Sequence, residues 1–495
     1  MNVGRISSTL IAPFAMHALC IVLPCCAVIC SLGFLVDDAF IVARFAATVH
    51  HEGRHAFGAF GPVADGVTPL FLPWVLAPVA TSVFTSLAWQ RVLGALGTAA
   101  GLSWLGLCAA SAFGPRATAG VLVVAASFPL AVHAGSGLET GLTAGLVAGS
   151  LGFFLYNTQT CTRLGAGCLG AAACLRPELA PSIFAAMIPQ LHVENAWRLL
   201  ALALGPQALV MGLRVGVFGR PFPLAVLAKP SDMRHGFLYV AAGVVVTGLW
   251  IVAASVALRY AGKNRPRGAV VVWGDGDALD REFTVNRSRA VASAELLALT
   301  HMATIAMIGG DWMPYARLLV PVVPCLLVCV AAIDGARGRA FIVMSALCTQ
   351  VFFGWSHWRE ATGVAADRFA VIERLAPEIA GLKTVAGLDV GFLGAAFAGP
   401  VIDLAGLTLE EVARLPGGHT SKRLPEGFLD AQRVDGLVLW APGGSVTALG
   451  EGALFGRVVE TRLARSPAVA RAFYEKCRIP WGHGGAELVV FVRRT

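Results

Sequence analysis

The sequence is 495 residues long, 56% hydrophobic and only 14% charged, with a formal net charge of +8 and a mean hydropathy of +0.71. Ordinary soluble domains are about a quarter charged, so this composition excludes a soluble globular protein. No helix-turn-helix, zinc-finger or RNA-binding pattern is present, which leaves the positive charge to basic cytoplasmic loops and a site for phosphate, with no nucleic-acid partner.

The apolar residues come in blocks free of Asp, Glu, Lys and Arg. Several run to about 18 residues or more, the length that crosses a roughly 30 Å hydrocarbon slab as a helix. The first, 8–36, is too long for a signal-peptide core and no convincing cleavage site follows, so it reads as a retained helix. After a polar segment, 37–67, the stretch 68–88 carries Pro69, Pro73 and Pro78 and reads as a helix lying in or dipping into the outer membrane surface. Further membrane helices are expected at 91–112, 118–134, 139–156, 163–176, 178–191, 198–214, 235–258, 290–309, 315–334 and 340–357, giving about eleven in all. The two short ones, 163–176 and 178–191, read as tilted helices or as one hairpin broken at Arg176-Pro177.

Orientation follows from Lys and Arg. With the N-terminus inside, the expected cytoplasmic loops hold Arg5, Arg116, Arg163, Arg198, the basic stretch 259–289, Arg337 and Arg339, a consistent positive-inside pattern. An odd number of helices then places the C-terminal part outside. Two parts result: a membrane module, 1–357, with an outer loop and juxtamembrane helices at 37–90, and a polar domain, 358–495. Short strands at 384–387, 401–404, 436–440 and 487–492 around a Gly-rich turn make the second part α/β. The expected fold class is a polytopic α-helical membrane protein with a small C-terminal α/β periplasmic domain.

The polar residues of interest fall on the expected outer side. Asp37 and Asp38 are adjacent carboxylates at a helix end, where a merely structural terminus needs only one. One suits a general base and the other an orienting group or cation ligand, although interfacial capping explains the pair equally well; Arg44 follows them. Arg54, His55 and Trp74 lie where a polar loop meets a Pro-rich amphipathic stretch. They fit a seat for a lipid-linked substrate or, more simply, an interfacial helix with an aromatic anchor. Glu139 opens a helix, where the dipole favours it, on the same side as the aspartates.

Arg176 and Glu178 interrupt an apolar region. Charges at membrane depth cost several kcal/mol and mark either a functional cavity or an internal pair. Arg176 suits a donor phosphate, which guanidinium grips in a bidentate fork; an Arg176–Glu178 pair is the alternative. Arg220 and Lys229 sit in an outer loop against the positive-inside trend, as a phosphate partner or anionic headgroups would explain. Asp311 and Arg317 flank a turn between helices and either face the outer cavity or close the turn around Trp312. His419 heads a polar run, 419–423, that is a solvated loop or an acceptor contact.

Most of the twelve cysteines lie in apolar runs and read as small buried hydrophobes. No Walker A, GxSxG, HExxH or zinc-like spacing occurs, and 274–277 in a cytoplasmic loop reads as a turn.

Taken in order, Asp37-Asp38-Ala39-Phe40-Ile41, Gly66-Val67-Thr68-Pro69-Leu70, Gly137-Leu138-Glu139-Thr140, Leu175-Arg176-Pro177-Glu178, Gly219-Arg220-Pro221-Phe222-Pro223, Gly310-Asp311-Trp312-Met313-Pro314 with Arg317, and Val401-Ile402-Asp403-Leu404 resemble the GT-C class of membrane glycosyltransferases. The match is closer to the bacterial family that includes the mycobacterial terminal β-(1→2)-arabinofuranosyltransferase and related motility-linked membrane proteins. The resemblance implies a GT-C-like fold, a polyprenyl-phosphate-sugar donor, an envelope glycan acceptor, and an outward-facing site in the inner membrane capped by the periplasmic domain. It implies Asp37 or Asp38 as base, and arabinofuranose as the sugar. Asp65 stands where a Glu is expected in the loop 58–66.

The mechanism read from this is an inverting displacement, with Arg176, Arg220, Lys229 and Arg317 on the donor phosphate. Arg44, Asp65, Glu139, Glu178, Asp311 and His419 support it or contact the acceptor. No cofactor is required; a divalent cation on the acidic cluster is compatible but not demanded. Two other classes remain. One is a non-catalytic assembly or motility factor on a transferase fold. The other is a lipid-linked-saccharide transporter, against which stand the lack of an inverted repeat and the one-sided placement of polar residues.

Overall fold

The computed structural model describes residues 3–30, 32–59, 61–156, 158–191, 196–262, 277–445, 448–482 and 485–494. The basic residues Lys263, Arg265 and Arg267, and the expected turn at 274–277 except for Asp277, lie outside the described residues.

Among those residues, four helices are long and apolar enough to cross a membrane: Val83–Phe113, Ala196–Phe218, Arg287–Ile308 and Ala336–Ile379. Two bent pairs make up to six spans: Arg116–Ala125 with Phe128–Ala134, bent by 61°, and Met233–Thr247 with Trp250–Leu258, bent by 76°. Thr140–Phe154 is apolar but shorter, and Met16–Cys30 is the apolar later part of the 28-residue helix Val3–Cys30. The multi-pass helical architecture is as the sequence implies, but the expected number of about eleven full-length spans is corrected: among the described residues four, or up to six, meet the length.

The reasons are local. The stretch 315–334 is no membrane helix. Tyr315 and Ala316 have positive φ, 61° and 51°, and Pro321 and Pro324 remove backbone donors. The chain forms a 3-10 helix, Arg317–Val322, and a short helix, Cys325–Ala331, all buried. Apolar content there reflects a packed interior and not lipid contact. The hairpin expected around Arg176-Pro177 does break there: Gln159–Leu175 ends, a 3-10 turn covers Pro177–Leu179, and Ala180–Met187 follows. In place of an interfacial helix over 68–88 there is a short helix, Leu72–Leu76, a 3-10 turn, Ala77–Val79, and then the long Val83–Phe113 helix.

Both bent pairs free backbone groups that hydrocarbon cannot satisfy. Gln350 serves both: its Oε1 accepts from Phe128 N at 3.0 Å, and its Nε2 donates to Val246 O at 2.7 Å. One amide thus supports two helix breaks.

The chain forms two compact units. The first, Met1–Leu32, Val92–Leu209 and Ser231–Ala361, is helical. Its buried core is rich in small and branched residues such as Ala144, Val147, Leu326 and Val330. The second takes Gly33–Arg91, Val210–Pro230 and Thr362–Thr495. It holds the helix Asp37–Glu52 and a five-stranded sheet. The strands are β1 (Val385–Gly387), β2 (Val401–Asp403), β3 (Gly436–Ala441), β4 (Phe473–Pro480) and β5 (Glu487–Arg493), in the order β2-β1-β3-β5-β4. β1 runs parallel to β2 and β3, while β5 runs antiparallel to β3 and β4. The four expected strands are present. β4 escapes sequence reading because it is an edge strand whose exposed residues, Tyr474, Glu475, Lys476 and Arg478, are mostly charged.

Candidate functional site

In the second unit the site begins at the helix Asp37–Glu52, whose first turn carries both aspartates, where the helix dipole favours anions. The two are not equivalent. Asp37 is buried, and both its oxygens accept backbone N–H groups: Oδ2 from Gly391 at 3.1 Å and Oδ1 from Phe392 at 2.7 Å. Seven residues on, Arg44 lies on the same helix face. It is also buried, and donates to the carbonyls of Gly394, Phe397 and Gly399 at 2.8, 2.7 and 2.7 Å. The helix Val390–Ala396 is therefore held at both ends, its first amides by a carboxylate and the carbonyls in and just beyond its last turn by a guanidinium. Gly391 has no room for a side chain, because a Cβ there would collide with the Asp37 carbonyl.

Burial pushes the Asp37 carboxyl well above the usual carboxylate range, and Asp389 and Asp38 push it further, against the pull of the two amides. Asp38 is only partly buried. Asp389 is gripped by Arg457 at 2.7 and 2.8 Å. Arg368 stacks 4.1 Å from the Trp481 ring centroid.

Asp65 is fully buried on Arg214, with Nε 3.2 and 3.1 Å from its two oxygens. Arg214 also donates to the carbonyls of Val67 and Thr68 at 2.9 and 2.8 Å. Sequence reading passed over Arg214; the available signal was an arginine near the end of an apolar helix, which needs a partner. Arg220 pairs with Glu410 at 2.7 Å. Lys229 and His419 are partly buried.

His55 is 6% exposed and boxed by Phe45, Phe218 and a stacked Trp74. Neither ring nitrogen has a partner among the described residues. Burial, then Arg214, lower its pKa to about 4 from 6.5. The fold accepts the neutral ring, so this contribution is complete above pH 6.5 and is lost as pH falls toward 4. The shift is equivalent to about 3 kcal/mol. His55→Phe is expected to abolish that acid-side loss and, at pH 7, to move stability by less than about 1 kcal/mol, since packing stays and no bond is lost. Unfolding midpoints between pH 4 and 8 test this; a loss above about 2 kcal/mol at pH 7 would show a polar partner for the ring.

The first unit holds a second group. Arg176 is buried with its Nε 2.8 Å from Glu139 Oε1, a charge contact out of hydrogen-bond alignment. It donates to Glu178 Oε1 at 3.2 Å and Thr140 Oγ1 at 2.9 Å. Arg317 meets Asp311 at 2.6 Å. His133 lies within electrostatic reach of Arg317, Arg176 and Asp311, as does Tyr239, whose hydroxyl accepts from Leu318 N at 3.0 Å. Glu139, Arg176, Glu178, Asp311 and Arg317 are thus brought together from three segments. Left-handed Gly309, Gly310, Tyr315 and Ala316 shape the loop carrying the last two, and such strain concentrates where geometry serves function. Desolvated charges this dense persist only by mutual pairing, here two guanidiniums against three carboxylates. Among the described residues, no three His, Cys, Asp or Glu are placed to hold a metal ion.

No protein-family model and no curated protein matches the chain. The chain is similar to several solved structures, among them these two. One is ArnT from Cupriavidus metallidurans bound to undecaprenyl phosphate, with 13% identity, 96% of this chain and 97% of that one covered, and a TM-score of 0.54. The other is the apo oligosaccharyltransferase from Archaeoglobus fulgidus, with 13% identity, 95% and 73% covered, and a TM-score of 0.42. The likeness to ArnT runs nearly end to end in both chains and is a likeness of fold. The chain has a GT-C-like fold: a multi-pass helical membrane protein with a small C-terminal sheet domain.

Proposed function

We propose that this protein transfers a sugar, arabinofuranose, from a polyprenyl-phosphate donor to an envelope glycan acceptor on the outer face of a bacterial inner membrane. The N-terminus is cytoplasmic and the C-terminal domain periplasmic. The observation that carries the reading is the buried group of Glu139, Arg176, Glu178, Asp311 and Arg317. A chain only 14% charged gathers two guanidiniums and three carboxylates in its helical unit, and an anionic lipid phosphate is a ligand that guanidiniums suit. The fold likeness to a structure holding undecaprenyl phosphate supports the same class. Arabinofuranose rests on the motif resemblance.

The step is an inverting displacement. Asp38 takes the proton of an acceptor hydroxyl as its oxygen bonds to the anomeric carbon. The bond from that carbon to the phosphate oxygen breaks, and its electron pair leaves with polyprenyl phosphate. Arg176, Arg220, Lys229 and Arg317 are the cations proposed to offset the developing charge, usually the largest catalytic contribution. A phosphate leaving group needs no strong acid, and the step balances without a cofactor. Asp38 is favoured over Asp37 because both oxygens of Asp37 already accept amides.

The test is sugar transfer by the purified protein in detergent, with polyprenyl-phosphate arabinofuranose and a short glycan acceptor. The expected products are extended glycan with inverted anomeric configuration and an equal amount of polyprenyl phosphate. Transfer only from another polyprenyl-phosphate sugar overturns the sugar. Transfer from none overturns the enzyme and leaves an assembly factor or transporter.

A further inference from the structure

A cleft of about 600 Å3 in the C-terminal α/β domain is used by none of the roles above. Its size falls within the roughly 300–1,000 Å3 of small-ligand sites. Segment 422–430, the helices Val458–Arg465 and Pro467–Ala472, and the start of β4 form its walls. The floor is apolar, with Phe428, Val469 and Phe473 all buried. The rim carries Arg423, Glu426, Asp430 and Arg462, all exposed.

The cleft is preformed. Lys422 Nζ is turned inward onto the carbonyls of Ala413 and Leu415 at 2.8 and 2.9 Å, anchoring one wall. Arg462 donates to Ser421 O at 2.8 Å, and Asp430 is held by Arg493 at 2.6 Å. Part of the polar run 419–423 singled out in the sequence thus lines this cleft.

The rim carries charge of both signs, the guanidiniums of Arg423 and Arg462 and the carboxylates of Glu426 and Asp430, the last already held by Arg493. A polyanion meets Glu426 and Asp430; a cation meets Arg423 and Arg462. A neutral polyhydroxylated chain satisfies both, because each hydroxyl donates to carboxylate and accepts from guanidinium, while its C–H faces lie on the apolar floor. We propose that the cleft is a binding site for a neutral oligosaccharide, and that it holds the acceptor chain; only the word acceptor rests on the function proposed above.

The test uses the full-length protein in detergent. Binding of a neutral arabinofuranosyl hexasaccharide, and of the same oligosaccharide after sulfation, is measured by calorimetry. Ala468→Trp fills the cleft from its lining, and Arg423→Gln alters an exposed rim residue whose loss spares the fold. Both are expected to raise the Kd for the neutral sugar, Ala468→Trp by about tenfold or more. In transfer assays the loss falls on acceptor KM more than on kcat. If Ala468→Trp lowers the unfolding midpoint, Arg423→Gln decides. Wild-type affinity in both variants, or binding of the sulfated sugar alone, overturns the proposal. Cleft-dependent binding without transfer from any polyprenyl-phosphate sugar keeps the oligosaccharide site and sinks the enzyme.

Discussion

Asp38→Asn is expected to lower kcat for sugar transfer by about 10²–10⁴-fold while leaving the unfolding midpoint near that of the wild type. Asparagine has the shape of aspartate but cannot take up the acceptor proton. Asp38 is partly exposed, so the change removes no wholly buried charge. Asp37→Asn is the contrast. Its side-chain NH2 must face Gly391 N or Phe392 N, which now donate to Asp37 at 3.1 and 2.7 Å. Donor against donor costs about 1–3 kcal/mol. The readout is therefore double: turnover, and protease resistance of the C-terminal domain. Asp38→Asn should lose the first and keep the second, whereas Asp37→Asn should weaken the second. An Asp37→Asn protein that is fully protease-resistant and inactive, beside an active Asp38→Asn, makes Asp37 the base.

That the two aspartates form a pair is legible in the sequence; how they divide their work is not. The division depends on contacts with residues 391 and 392, more than 350 positions away, and no local pattern encodes them. Arg44 is a similar case. Its position suggests a supporting group beside the acidic pair, whereas it spends its donors on three carbonyls of the C-terminal domain. Charges at membrane depth are legible because burying them is costly, which picks out Arg176 and Glu178, whereas Asp311 and Arg317 stand out as charges flanking a turn between helices. Their partners were only half legible. Glu178 is two residues from Arg176 and easily guessed, whereas Glu139 arrives through packing. Hydropathy counted spans too generously because a packed helical interior is as apolar as lipid-facing surface. The buried segment Arg317–Ala331 has the composition of a membrane helix and the prolines of a loop.

Arg176 carries the largest expected effect on folding. Replacing it with Ala leaves Glu139 and Glu178, side chains only 5% and 14% exposed, without their cation. Breaking a buried pair this way costs about 3–5 kcal/mol, and transfer activity should vanish with it. Arg176→Lys should restore little, since one ammonium cannot reach Glu139, Glu178 and Thr140 with the spread of a planar guanidinium. A loss of activity through unfolding says nothing about phosphate, so the decisive variant is the neutral pair Glu139→Gln with Arg176→Gln. Amides of similar length fill the same space and leave one stranded carboxylate, Glu178, in place of two, so a coupling energy should recover part of the stability lost in Arg176→Gln alone. If Arg176 offsets charge on the leaving phosphate, this double variant is folded and still at least about 10²-fold slower than wild type. A folded double variant with wild-type turnover would confine Arg176 to a structural ion pair and move the phosphate role to Arg317.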